Sequence, residues 1–213
     1  MADPDNTREP RQQRSRETLQ RLLVAALEVL DAHGLAGATI PRIAATAGMA
    51  PSSIYRRFAD KDALLRAAFL HILKRVNQSN RDHLPDLVVR DTLAGTVHGL
   101  VGALVAQYRE HAAFLRALLH YFDTDTDTAF LEEARAIVRD NIRLVAATLL
   151  AHRAEIRHDD TECAACIAVL SATSTIESAT LDPRQLWTDW PQMTDAQLID
   201  EVSRICVGYL CGA

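Results

Sequence analysis

Over residues 16–33 the apolar side chains Leu19, Leu22, Leu23, Ala26, Leu27 and Leu30 recur at steps of three and four. That spacing gathers them on one face of a helix and predicts a first helix that Gly34 stops. Thr39 stands where an N-cap would open a second, short helix, whose first turn accommodates Pro41 because the first amides of a helix have no partner within it. Ile40, Ile43, Ala44 and Ala47 form its inner face. Gly48 ends this helix, Met49 and Ala50 make a link, and Pro51 opens a third helix to about Phe58. Ile54 and Phe58, four apart, point inward.

Asp60 is placed to cap a long helix over 61–81, with Leu64, Leu65, Ala68, Ile72 and Val76 on its apolar side and Pro85 as its downstream bound. Similar periodicity predicts helices over 91–110, 112–122, 128–156, 161–179 and 194–210, joined by polar or Pro-containing links such as 123–127 and 182–191. No segment alternates with the period of two that a strand needs. The fold class that follows is all-α: a tri-helical helix-turn-helix head and a larger C-terminal helical bundle, about nine helices in total. Residues 1–13 have no apolar periodicity and read as a mobile arm whose Arg8 and Arg11, with Arg14 just after it, are within reach of a nearby phosphate. The head then covers 14–74, its rod helix beginning at 61, and the body 75–213.

Composition narrows the classes. A chain of 213 residues with 48% hydrophobic and 24% charged residues reads as globular. Its polar N-terminus has no apolar run of the signal-peptide kind, so the expectation is a cytoplasmic protein with no membrane partner. The net charge of −5 argues superficially against nucleic acid. Residues 1–62, however, hold nine Arg and Lys against eight Asp and Glu, so the acidity lies in the body. Cys163, Cys166, Cys206 and Cys211 crowd into the last quarter in apolar surroundings and read as reduced. Cys163 and Cys166 share a helix face, but no further Cys/His pair completes a ligand set, so core packing is expected and no metal or cofactor. Asp123, Asp125 and Asp127 lack the downstream bidentate Glu of a calcium loop and read as a solvated link. No phosphate loop, nucleophile elbow or His-Glu-x-x-His helix is present, so no enzymatic activity is expected.

The segment from Thr39 to Phe58 carries the chemistry. Ala44 is small where two helices cross, Gly48 permits a left-handed turn, and Ile54 plugs the angle between them. With Ile54 and Phe58 inside, the third helix must show Pro51, Ser52, Ser53, Tyr55, Arg56 and Arg57 to solvent, a surface suited to phosphates and base edges. Pro51, Ser52 and Ser53 begin the helix and are the candidates for base contact.

Residues 16–69 thereby resemble the head of the TetR family of transcription regulators. The likeness rests on the joint spacing of His33-Gly34, Thr39-Ile40, Ile43-Ala44, Ala47-Gly48, Ile54-Tyr55, Phe58, Lys61 and Ala63-Leu64-Leu65. It implies that Tyr55 and Lys61 hold the DNA backbone, that Thr39 caps the second helix and touches phosphate, and that Ser52, Ser53 and Arg57 face the groove. Ala50 departs from the family's usual capping Ser, and Pro41 from a polar residue near the bases. The implied partners are a palindromic double-stranded operator, a second copy of the chain and a largely apolar small-molecule effector. The implied function is a repressor that the effector releases. The competing class is a helical small-molecule-binding protein or enzyme without a DNA role.

In the body, Ile167, Leu170 and Ser174 on one helix and Leu198, Val202, Ile205 and Tyr209 on the last offer apolar faces, and the resemblance implies that this pair forms a four-helix bundle with a second copy. The expected effector pocket lies among the middle helices, where His98, Gly102, Tyr108, Phe114, His120 and Tyr121 mix apolar surface with polar tips.

Overall fold

The computed structural model describes residues 8–181 and 193–212, all of whose regular structure is helical. Two of the expectations above reach past that range: residues 1–7 of the arm and the 182–191 link lie outside the described residues. The elements are α1 (Arg8–Gly37), α2 (Ile40–Ala47), α3 (Pro51–Tyr55), α4 (Lys61–Val88), α5 (Leu93–Glu110), α6 (Ala112–Thr124), α7 (Thr128–Leu149) with a 3-10 segment (Leu150–Glu155), α8 (Thr161–Leu181) and α9 (Asp195–Cys211).

Side-chain caps mark several starts. Asp60 accepts from the Ala63 amide at 2.7 Å, Asp127 from Phe130 at 3.0 Å, and Thr92 from Gly95 at 3.1 Å. Thr194 and Gln197 form a reciprocal capping box at α9. Gly34 (φ 65, ψ 179) breaks the helical path of α1, so the chain kinks there and continues to Gly37.

Several boundaries differ from the sequence reading, and α3 ends at Tyr55 rather than near Phe58, with Arg56 and Arg57 in the turn that follows it. The helix α1 begins at Arg8, so residues 8–13 are not an irregular arm; Arg, Gln and Glu have high helix propensity and extend a packed helix without needing an apolar face. Pro85 falls in the last turn of α4 rather than beyond it, where proline removes a single intrahelical bond. The expected helix over 128–156 tightens at Leu150 because His152 leaves helical geometry (φ −108, ψ 33). There His152 Nε2 lies 2.9 Å from the Thr96 hydroxyl of α5.

Two cores organise the packing. The first joins α1 to α4, centred on Leu22, Leu30, Ile43, Ile54, Leu64 and Phe69, and takes in Ala117, Leu118 and Tyr121 of α6 and Phe130 and Ala134 of α7. The second joins α5, α7, α8 and α9 around Leu93, Val101, Val105, Ala165, Ile176 and Leu210. By length and composition α8 would span a bilayer, but its small residues Ala164, Ala165, Ala168 and Ala172 are buried in this second core.

A polar seam ties α4 to α7 and the link before it. Arg66 Nε donates to Asp125 Oδ2 at 2.7 Å, Asn77 and Arg81 both donate to Asp140 at 2.8 Å, and Asn80 donates to Asn141 at 2.8 Å. The Arg66 guanidinium holds the Asp125 carboxyl below its ordinary value of 3.8. A carboxyl depressed in the folded state stabilises the fold above its unfolded pKa, and that contribution fades as pH falls through the folded value. Urea unfolding of wild type and Asp125→Asn should therefore show a stability gap at pH 6 that narrows on acidification below about pH 4; a gap independent of pH would contradict this.

At the turn between α2 and α3, Gly48 is left-handed (φ 65, ψ 38) and its amide bonds the Ala44 and Ala45 carbonyls. A Cβ added there would meet nothing within 4 Å, so the cost of a side chain is backbone strain alone. Gly48→Ala is expected to lose about 1–2 kcal/mol in urea unfolding, and Gly48→Asn less, because Asn tolerates this conformation.

Candidate functional site

The head presents one hydrophilic side. Ile54 is fully buried and Phe58 packs half-buried on the same core, which fixes the roll of α3. Pro51, Ser52, Tyr55, Arg56 and Arg57 are then exposed, and Ser53 is half-exposed. Arg56 donates to the Ser53 hydroxyl at 3.0 Å, along the helix, while Arg57 reaches back to Ser15 on α1 at 3.1 Å and braces α3 against it. Lys61 is half-buried, its ammonium 3.4 Å from the Leu35 carbonyl, so its stem lies along the head and its charge stays at the rim.

Thr39 differs from expectation in one respect. It occupies the N-cap position of α2 with extended geometry, but its side chain makes no capping bond. The hydroxyl is exposed and free to bond an incoming group. Ala50 likewise leaves the α3 amides without a side-chain cap. Uncapped amides and an unbonded hydroxyl are anion-accepting groups.

In the body a cavity of about 370 Å³ opens between the two cores. Residues from α4 (Ile72, Val76, Asn80), α5 (Leu104, Gln107, Tyr108), α6 (Phe114, Leu118, Phe122), α7 (Asn141, Ile142) and α8 (Val169, Thr173, Glu177) line it, with Cys206 of α9. Burial pushes the Cys206 thiol up to about 11, so it stays neutral, and it sits 3.7 Å from the Ala168 carbonyl.

Of the residues expected in the pocket, Tyr108 and Phe114 line it; His98, Gly102, His120 and Tyr121 do not. His98 sits on the outer side of α5, 3.3 Å from Asp200. Gly102 faces α9, where an added Cβ would lie 3.9 Å from Ile199. His120 is exposed on α6 beside Thr124. Tyr121 points into the head core, its ring 5.0 Å from Phe69 and its hydroxyl donating to Asp62 at 2.6 Å. Those four were chosen for side-chain type, and helix rotation of about 100° per residue sends them to other faces. Glu177 was missed, although it is the sole charged residue between Cys163 and Leu181.

The expected dimer residues divide. Ile167, Leu170, Ser174, Ile205 and Tyr209 are exposed, whereas Leu198 and Val202 are buried inside the chain. The apolar arc of α9 is wider than one interface, and its inner edge closes onto the second core. Among the described residues the exposed large apolar side chains are Tyr55 on α3 and Ile167, Leu170, Ile205 and Tyr209 on α8 and α9, from 37% exposed at Tyr209 to 62% at Ile205.

Residues 22–68 match the model of the tetR family of bacterial regulatory proteins, and residues 92–210 match that of the tetracyclin repressor-like C-terminal domain. The uncharacterized HTH-type transcriptional regulator TtgW of Pseudomonas putida is 32% identical over 90 residues, 42% of this chain and 65% of that protein, so the chain spans just under two thirds of that relative. Among solved structures, a protein assigned to the TetR family from Mesorhizobium loti superposes with a TM-score of 0.66 at 19% identity, over 93% of this chain and 98% of that one. FadR of Bacillus subtilis, in complex with stearoyl-CoA, gives 0.60 at 15% identity over 91% and 98%. Matched by family models over both its head and its body, the chain belongs to the TetR family of transcriptional regulators.

Proposed function

We propose that the chain is a sequence-specific, duplex-binding repressor, acting as a homodimer on a palindromic operator and released when a small molecule fills the body cavity. The observation that carries the reading is the α3 surface: Ser52, Tyr55, Arg56 and Arg57 face solvent together, fixed in roll by buried Ile54. In this reading Pro51, Ser52 and Ser53 meet base edges, while Thr39, Tyr55, Arg56, Arg57 and Lys61 take phosphates.

The exposed side of α8 and α9, with Ile167, Leu170, Ser174, Ile205 and Tyr209, supports the dimer. Pairing it with a second copy removes apolar surface from water and holds two heads at a fixed separation. Successive major grooves lie about 34–36 Å apart, so affinity depends on that separation. The cavity supports effector control because α6 touches both sites. Phe114 lines the cavity and lies 5.7 Å from Phe69 in the head core, and Tyr121 bonds Asp62, the neighbour of Lys61. A ligand that favours one setting of α6 therefore biases the start of α4 and the pitch of the head.

The test is anisotropy titration of duplexes selected from a random pool, at several salt concentrations. Binding should weaken steeply with salt; no duplex selected at low salt would overturn the reading. Tyr55→Ala should cost about tenfold in affinity on every duplex, and Lys61→Ala should also lower the log–log salt slope by about 1. Ser53→Ala should change the order of preference among duplexes. Leu170→Glu with Ile205→Glu is expected to give a folded monomer in sedimentation and to lose tight binding to the palindrome. A double variant that stays dimeric would place the interface elsewhere.

A further inference from the structure

The charge inventory of the cavity narrows what it accepts. Its lining, among the described residues, contains no Lys, Arg or His and a single carboxylate, Glu177. Among the described residues, Glu177 has neither a hydrogen-bond nor an ion-pair partner, unlike Asp125 and Asp140, which meet Arg66 and Arg81 on the seam nearby. Burial first, and then the charge of Asp123, push its carboxyl above the ordinary value. Tyr108 feels the same field: burial and then Glu177 raise its phenol to about 12, which keeps its hydroxyl protonated.

An unpaired carboxylate in a largely apolar cavity is unfavourable until a positive group arrives. Aromatic side chains also line this cavity: Tyr108, Phe114 and Phe122. An aromatic wall with one acidic residue is the chemistry that holds an organic ammonium, through ring quadrupoles and one charge-assisted bond. A carboxylate or phosphate ligand would meet the opposite conditions, a like charge and no cation. The rest of the lining is mainly apolar, from Ile72, Val76 and Leu84 of α4 to Val169 of α8, and fits an alkyl or aryl body, with Asn80, Gln107, Asn141 and Thr173 as neutral polar groups.

We propose that the cavity is selective for amphiphilic organic ammonium ions, with Glu177 as the residue that fixes the charge preference and anionic acyl compounds disfavoured. This deepens the proposed function, on whose reading of the cavity as the effector site it rests.

Three probes of one chain length isolate the charge: decylamine, 1-decanol and decanoate, titrated calorimetrically into the full chain at pH 7.5. The expected order is decylamine tightest, 1-decanol next and decanoate weakest, with about tenfold or more between the ends. Glu177→Gln should bring decylamine to within about twofold of 1-decanol and leave 1-decanol unchanged. The substitution removes an unpaired charge, so its thermal midpoint should equal or exceed that of wild type, which keeps the comparison on folded protein. Decanoate binding as tightly as decylamine, binding of none of the three, or a preference that survives Glu177→Gln would each overturn the proposal. Duplex affinity measured on the same samples separates the two readings. Amine binding that leaves duplex affinity unchanged overturns effector control and upholds the site; lost amine selectivity with duplex binding intact overturns the site alone.

Discussion

The structure turns on α6, a helix of 13 residues that two cores share. Its Ala117 and Tyr121 side closes the head core against Phe69 and Phe130, while Phe114, Leu119 and Phe122 wall the cavity, and Leu118 belongs to both. Protein interiors are packed too densely for one face of such a helix to shift without the other following. The Tyr121 hydroxyl adds direction to this coupling. Burial and the nearby Asp62 push its phenol far above the usual range, so it remains a donor, and it holds Asp62 in the first turn of α4. Head and body are thus separate in sequence but continuous in packing.

That continuity explains the polar seam beside it. The α4 helix runs from the head along α7, and apolar contact alone would let it slide, since dispersion is nearly indifferent to register. Arg66 on Asp125, Asn77 and Arg81 on Asp140, and Asn80 on Asn141 fix it at three levels. Part-buried polar pairs contribute modestly to net stability but penalise any register that breaks them. These pairs tie α4 to one register against α7 and the link before it.

How much of this the sequence revealed depends on which physical rule governed each residue. Helices whose apolar residues recur every three or four positions were legible, as was the roll of α3, because Ile54 and Phe58 leave only one hydrophilic side. Residues 8–13 and Pro85 misled, since local periodicity and proline chemistry say little about where a helix already supported by packing will end. The pocket was less legible. His98 and His120 were chosen for polar tips, but a polar tip is compatible with either side of a helix, and both face outward. Glu177 carried a real signal, an isolated charge in a long neutral helix, which becomes meaningful only when the neighbouring helices show that its face is not solvent. Leu198 and Val202 failed for a related reason: an apolar arc broad enough for two surfaces does not say which half meets which.

The distribution of exposed apolar side chains supports the proposed dimer. Ile167, Leu170, Ile205 and Tyr209 belong to neither core and stay exposed. Isolated apolar residues on a surface need no explanation, but these four lie on the outward sides of two helices packed against each other, and Tyr55 is the one other of their size left in water among the described residues. Among the described residues, large apolar exposure is thus confined to α3 and to the α8–α9 pair. Charge follows the same partition: Arg56 and Arg57 are exposed in the turn that follows α3, while the body carries the excess of Asp and Glu. An acidic body repels a polyanion more than a near-neutral head does, so on the proposed reading any approach to a duplex would be oriented head first.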